Sequence, residues 1–339
     1  MAIRIAINGF GRIGRTFLRA LMQDKQAASQ ITIVAINEGP HASSQLDLLF
    51  KYDSVMGQFA GTVEHKNNRL AINNHEILLL AEQDAQNLPW KKLEIDWVLE
   101  ASGCFTSHEK ASKHIQAGCK KVLITAPSKD ADVTIIPGVN DDAYDKTKHA
   151  IISMGSCTTN CFAPLVKIIK ENFTLLSGSM TTIHAYTSDQ RLLDNAHKDP
   201  RRARCAATNM IPTKTGAGDV ITQIFPELKG KLNATAIRVP VPIVSLTDFS
   251  FVTKENITRD DINRAFEKAA NGSLKNILTC SALPLVSSDF TGNSYSSIVD
   301  TLLTQANEHM GKVFAWYDNE FGYSVRLKEF LLHNQTKLL

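Results

Sequence analysis

Residues 3–15 read IRIAINGFGRIGR, a short apolar run that passes through three glycines and then turns helical. Ile3 to Ile7 has the β-branched character of a buried strand, and Arg15 to Gln23 has the composition of a helix. Between them Gly9, Gly11 and Gly14 keep the G-x-G-x-x-G spacing. The first glycine permits a tight turn, the second lets backbone approach a pyrophosphate, and the third lets helix pack closely on strand. Unpaired amides at the helix start would then face phosphate oxygens. The triplet alone also suits an empty tight turn. Flanked by strand and helix, it predicts a dinucleotide cradle formed by Gly9, Phe10, Gly11, Arg12 and Ile13.

Outward from this cradle, a second strand, Ile31 to Ile36, runs into Asn37 and Glu38. Glu38 stands where an acid can meet the adenosine ribose hydroxyls, and a 2′-phosphate would face its like charge. That favours NAD. An acidic residue at a strand end is also common for no functional reason. Further β-rich runs at 97–99, 121–124 and 133–136, with a helical stretch at 108–116, point to a mostly parallel sheet. Ser102 and Thr125 fall just past strand ends, on the edge where ligands bind. Residues 53–58 and 67–75 read as excursions or an antiparallel hairpin.

The 339 residues allow two ordinary domains, and 43% hydrophobic with 21% charged residues reads as soluble and globular. A net charge of +3 is too mild to demand nucleic acid. No run of apolar residues is long enough to span a membrane, and the start lacks the apolar core of a signal peptide. Six Cys in a chain this long do not make a disulfide scaffold, so a reducing cytoplasm is expected.

Residues 155–161 read GSCTTNC, with an apolar strand before and a helical run, 162–169, after. Cys157 therefore sits near a helix N-terminus, where amides and the helix dipole lower a thiol pKa. Cys161, one turn on, should face the interior; a buried structural pair of thiols is the plainer reading of both. No C-x-x-C partner exists for a zinc site. The strand 180–187 can deliver His184 from another element, as a cysteine nucleophile requires, although a lone histidine is more often structural. Arg201-Arg202-Ala203-Arg204 reads most simply as a solvated turn. Arg238 sits in an otherwise apolar strand, which is costly unless it is paired or holds an anion. Guanidinium forks beside Thr213 and Thr215 would make a phosphate trap.

Taken together, INGFGRIGR at 7–15, SCTTNC at 156–161, TTIHAYTSDQ at 181–190, RRAR at 201–204, TKTG at 213–216, AIRVP at 236–240 and WYDNEFGYS at 316–324 are specific. The chain resembles phosphorylating glyceraldehyde-3-phosphate dehydrogenases along nearly its whole length. The resemblance implies a Rossmann-type nucleotide domain, residues 1–155 completed by a C-terminal helix at 320–339. It also implies an α+β catalytic domain, 156–319, on a mostly antiparallel or mixed sheet, with the nucleophile at the junction. Expected catalytic strands include 234–239, 245–252, 282–289, 296–300 and 312–316, and 260–271 has helical periodicity.

By the same resemblance Cys157 is the nucleophile and His184 its base. Ser156, Thr158, Arg204, Thr215 and Gly216 would hold inorganic phosphate, while Thr187, Asp189 and Arg238 would hold the substrate's phosphate. Asn319 would fix the nicotinamide carboxamide, with Tyr323 near the ring. Glyceraldehyde 3-phosphate and phosphate are the implied substrates, and the loop 187–204 implies a homotetramer; neither nucleic acid nor a membrane is required.

Some residues depart from the family pattern. Glu38 replaces the usual Asp, and Gly39-Pro40-His41 follows it. Asn195-Ala196 replaces a Leu-Pro pair associated with NAD specificity, which leaves dual NAD/NADP use open. Lys214, Asp219, Val325 and Cys104 also differ. Two alternatives stand beside the main reading. One is erythrose-4-phosphate dehydrogenase, which releases its acid with water; the other is a silent nucleotide-binding or interaction protein that keeps only the fold.

Overall fold

Gly9 adopts a φ of +94°, and a Cβ there would lie 2.4 Å from the amide nitrogen of Ser102. Only glycine lets the first strand end so close to its neighbour. The structure, a computed structural model, describes residues 2–39 and 44–334, so Pro40, His41 and the last residues of the expected C-terminal helix lie outside the described residues. Two compact units emerge: Met1–Ile135 with Asp142–Gly155 and Ser324–Leu339, and Ile136–Asp141 with Ser156–Tyr323.

The first unit holds a nine-stranded sheet in the order Val133–Thr134, Ile151–Ser153, Lys121–Ile124, Trp97–Glu100, Ile3–Asn8, Ile31–Asn37, His75–Leu80, Arg69–Ile72, Val63–Lys66. Every neighbouring pair is parallel as far as His75–Leu80, and the last two strands pair antiparallel as an edge meander. Tyr52–Asp53 and Gly57–Gln58 form a separate small hairpin. Helix Arg12–Gln23 starts directly after Gly11, and His108–Gln116 is capped by Ser107, whose hydroxyl accepts from the Lys110 amide. The strands bury Ala6, Val98, Val122 and Ile124 against Trp90 and Ala111.

The second unit is built on an eight-stranded mixed sheet. Leu175–Ala185 runs parallel to Leu232–Val239 and antiparallel to Ser245–Thr253, and this register sets His184 opposite Arg238. Helix Cys157–Asn172 opens with a capping box between Ser156 and Thr159. Its Cys161, Phe162, Leu165, Val166 and Ile169 pack with Met180, Phe249 and Phe251. Helix Arg259–Asn271 buries Ile262, Ala265, Phe266 and Ala269, the recurrence read from its sequence.

One expected strand is absent. Leu278–Ser281 forms a strand parallel to Ser297–Asp300, and the chain then leaves the sheet across 282–286 into a 3₁₀ turn, Ser287–Phe290. Pro284 has no N–H for a ladder, and Leu283 and Val286 are exposed rather than packed.

Candidate active site

In the first unit the ends of three parallel strands open on a cavity of about 510 Å³ lined by Asn8, Gly9, Phe10, Gly11, Glu38 and Ser102, with Cys104 also on its wall. Space is open where a Cβ of Gly11 would stand, and no side chain caps the helix that follows it. Its first amides can therefore serve an anion. Burial pushes the Glu38 carboxyl up, against the Phe10 amide and Arg15. Its Oε1 is buried without a partner, an acceptor that ribose hydroxyls would satisfy. The residues present thus fit NAD. Arg12, Ile13 and Thr125 are not on the cavity wall; Arg12 pairs with Asp53 at 2.5 Å, and the Thr125 hydroxyl donates to the Glu100 carbonyl at 3.0 Å.

The second unit brings Cys157 and His184 together, Sγ 3.4 Å from Nε2. The Ala185 carbonyl can only accept, and it lies 2.6 Å from Nδ1. That places the ring proton on Nδ1 and turns the Nε2 lone pair to the sulfur. Arg238 Nη1 donates to the same carbonyl at 3.0 Å and lies 2.9 Å from Nδ1. Burial, then the Arg238 charge, lowers the His184 pKa to about 3, so the imidazole is neutral and able to accept a proton. The thiol differs from the sequence expectation. Burial raises the Cys157 pKa, with Arg238 and the Thr158 amide opposing. Burial thus acts toward the uncharged form of both the thiol and the imidazole.

Tyr317 explains how the two elements keep their spacing. Its hydroxyl meets Thr158 Oγ1 at 2.9 Å and Thr182 Oγ1 at 2.8 Å, tying the residue after Cys157 to the strand that carries His184. The Thr158 hydroxyl is thereby engaged, and that of Ser156 caps the helix through the Thr159 amide. The Ala185 amide donates to Ser245, whose hydroxyl donates to Asn319 Oδ1 at 3.0 Å. Tyr323 is buried, and burial and Cys157 push its phenol up. Cys161 is a core residue whose thiol burial pushes up to about 12.

The anion-binding candidates divide. Arg238 also reaches Thr187 Oγ1 at 3.4 Å, and its Nε is buried without a partner. Arg204 is not with them: its side chain is 65% exposed and pairs with Asp194 at 2.6 Å. Arg202 instead turns inward, donating to Thr213 Oγ1 at 3.0 Å, the Lys214 carbonyl at 3.2 Å and Asp189 at 2.5 Å. Its charge is felt by both His184 and Arg238. Burial raises the Asp189 carboxyl, but bonds from Arg202 and His197 outweigh it and hold the group below its usual range. Thr215 accepts from the Ala217 amide at 3.3 Å, and Gly216 begins the helix Ala217–Ile224. Lys214 and Asp219 are exposed. The sequence reading missed Arg202 and Tyr317; both lie inside the motifs it singled out, RRAR and WYDNEFGYS.

Two family models match the chain: "Glyceraldehyde 3-phosphate dehydrogenase, NAD binding domain" over residues 3–108, and the corresponding C-terminal domain over 156–319. Glyceraldehyde-3-phosphate dehydrogenase 2 of Bacillus subtilis is 47% identical over 339 residues, covering 100% of this chain and 98% of that protein. The Geobacillus stearothermophilus enzyme is 47% identical over 99% of both chains, and that of Streptomyces coelicolor is 48% identical over 96% of this chain and 97% of its own. With the thiol–imidazole pair and the nucleotide cradle in place, these matches show that the chain belongs to the glyceraldehyde-3-phosphate dehydrogenase family.

Proposed function

We infer that the chain oxidises D-glyceraldehyde 3-phosphate to 1,3-bisphosphoglycerate with NAD and inorganic phosphate. Its full-length relatives carry the name of that activity, and neither alternative reading has such support. The observation that carries the chemistry is Cys157 Sγ set 3.4 Å from an Nε2 whose lone pair faces it. Cys157 attacks the aldehyde carbon as His184 takes the thiol proton and delivers it to the new oxyanion, giving a hemithioacetal. Nε2 then removes that hydroxyl proton as hydride leaves the carbon, and a thioester results. Bound NAD supplies the acceptor for the hydride. A phosphate oxygen attacks the thioester, the C–S bond breaks, and the proton held by His184 returns to sulfur.

Residues 1–155 with the C-terminal helix 320–339 would bind NAD, and 156–319 would carry the chemistry. Glu38 and Ser102 hold the cofactor in this reading, with Asn319 and Tyr323 at its nicotinamide end. Thr187 and Arg238 hold one phosphate, and Asp189, given that role from the resemblance, instead orients Arg202 as its ion-pair partner. Thr215, Gly216, the amide of Thr158 and the side chain of Ser156 hold the other. Arg202 takes the place first given to Arg204, because Arg202 is the guanidinium directed at Asp189 and Thr213. Glu38 itself favours NAD over NADP, since a 2′-phosphate would face its like charge.

A homotetramer in the cytoplasm, serving glycolysis and gluconeogenesis, completes the reading. Leu192, Leu193 and Met210 are 78%, 74% and 76% exposed, apolar surface that a neighbouring subunit would cover. Among the described residues no helix is long and apolar enough to cross a membrane. Initial rates with glyceraldehyde 3-phosphate and erythrose 4-phosphate, with NAD or NADP and with or without phosphate, test the activity. Analytical ultracentrifugation tests the assembly. Equal rates without phosphate would remove the phosphate roles.

A further inference from the structure

Behind the nucleotide cavity lies a chain of buried polar groups that the reaction does not use. Trp90 Nε1 donates to His114 Nδ1 at 3.0 Å, and His114 Nε2 lies 3.0 Å from Glu100 Oε2. All three side chains are buried. The same Oε2 accepts from Asn8 Nδ2 at 2.6 Å, while Oε1 accepts from both the amide and the hydroxyl of Ser102. Asn8 in turn accepts from Asn37 Nδ2 at 2.7 Å, and Asn37 is tied to the backbone of Glu82.

Each bond in this chain has a forced direction. An indole N–H can only donate, so His114 Nδ1 must accept and Nε2 must carry the ring proton toward Glu100. Glu100 is left as an acceptor facing four donors. Three of them come from Asn8 and Ser102, which stand on opposite sides of Gly9, whose α-carbon packs on the Ser102 backbone and whose amide donates to the Asn37 carbonyl. The residue after Asn37 is Glu38. Glu100 therefore holds the parts of the cavity wall that would meet the pyrophosphate and the ribose, and Trp90 and His114 hold Glu100.

We propose that Trp90 and His114 are positioning residues for the dinucleotide: they fix Glu100, and through it Asn8 and Ser102, without touching the cofactor. Trp90→Phe removes the donor that sets the His114 tautomer. His114→Leu removes the donor to Glu100, and His114→Gln can restore one donor and one acceptor. Loss of the fixed Asn8 and Ser102 positions should raise the NAD dissociation constant roughly 5- to 150-fold, equivalent to about 1–3 kcal/mol of binding free energy.

Calorimetric titration with NAD and steady-state kinetics test this in the full-length enzyme. Trp90→Phe and His114→Leu should raise the NAD dissociation constant and KM for NAD, leaving KM for glyceraldehyde 3-phosphate and the alkylation rate of Cys157 in the cofactor-free enzyme unchanged. His114→Gln should recover most of the affinity. Folded variants that bind NAD as the wild type does would overturn the proposal. A measurement on the unaltered protein covers variants that do not fold. Coupling is reciprocal, so saturating NAD should slow hydrogen exchange at the Trp90 indole several-fold. An exchange rate that NAD leaves unchanged would overturn the proposal as well.

Discussion

Arg238 stands directly opposite His184 on the neighbouring parallel strand, its Nη1 2.9 Å from the imidazole Nδ1. One guanidinium thus borders the base, meets Thr187, and helps keep the imidazole neutral. Arg238→Leu removes a charge that lowers the His184 pKa, so the acid limb of kcat/KM against pH should move to higher pH. In the proposed function it also removes charge-assisted bonds to the substrate phosphate, each about 1.5–3 kcal/mol, which should lower kcat/KM by roughly 10- to 150-fold. Steady-state rates between pH 4 and 8 check both effects.

Arg202 and Arg204 give a second prediction, because two arginines one residue apart in the same loop point to opposite fates. Arg202→Ala should raise KM for phosphate or for the aldehyde substrate at least about tenfold, as expected for a lost charge-assisted contact. Arg204→Ala cuts an exposed pair with Asp194, and exposed pairs contribute ~0–1 kcal/mol, so its kinetics should stay near those of the wild type. The reverse ranking would restore Arg204 to the role read from sequence.

His184 also links stability to pH. Its folded pKa of about 3 lies below the ordinary histidine value of 6.5, so the unfolded chain binds the extra proton first. The contribution is fully present above pH 6.5 and is lost as pH falls toward 3, by about 1.4 kcal/mol per pH unit. Urea midpoints of the wild type and His184→Asn should converge or cross as pH drops through that window, because the variant lacks this proton uptake. Parallel curves would show that the imidazole is not buried in neutral form.

Tyr317→Phe leaves the hydroxyls of Thr158 and Thr182 without their shared partner. A loss of about 1–3 kcal/mol in stability is expected. The rate of Cys157 acylation should fall more than KM for NAD changes, because Tyr317 joins the nucleophile's helix to the strand of the base. Stopped-flow acylation and equilibrium denaturation separate the two.

Much of this was legible in the sequence, for reasons that particular residues make plain. The Gly9–Gly14 spacing and the β-rich runs fixed the parallel sheet because strand periodicity and glycine geometry are local properties. The meeting of Cys157 with His184 was legible because a thiol near a helix start and a histidine on a separate strand are the parts a cysteine nucleophile would need. Three features were not local. The run at 282–289 looks like a strand, but a proline and the lack of a pairing partner take it out of the sheet. Which arginine of RRAR turns inward depends on the path of the loop and on Asp189 and Asp194. Whether Cys157 is raised or lowered depends on how deeply the thiol is buried, and there burial outweighs the helix terminus.

In the proposed function, oxidation ends in a thioester on Cys157 that only phosphate discharges. Rapid mixing of the enzyme with NAD and glyceraldehyde 3-phosphate, without phosphate, tests it most directly. NADH should form up to one equivalent per Cys157 and then nearly stop, with turnover resuming when phosphate is added and no NADH at all from Cys157→Ser. Continuous NADH formation without phosphate, or phosphate-dependent NADH from Cys157→Ser, would contradict it.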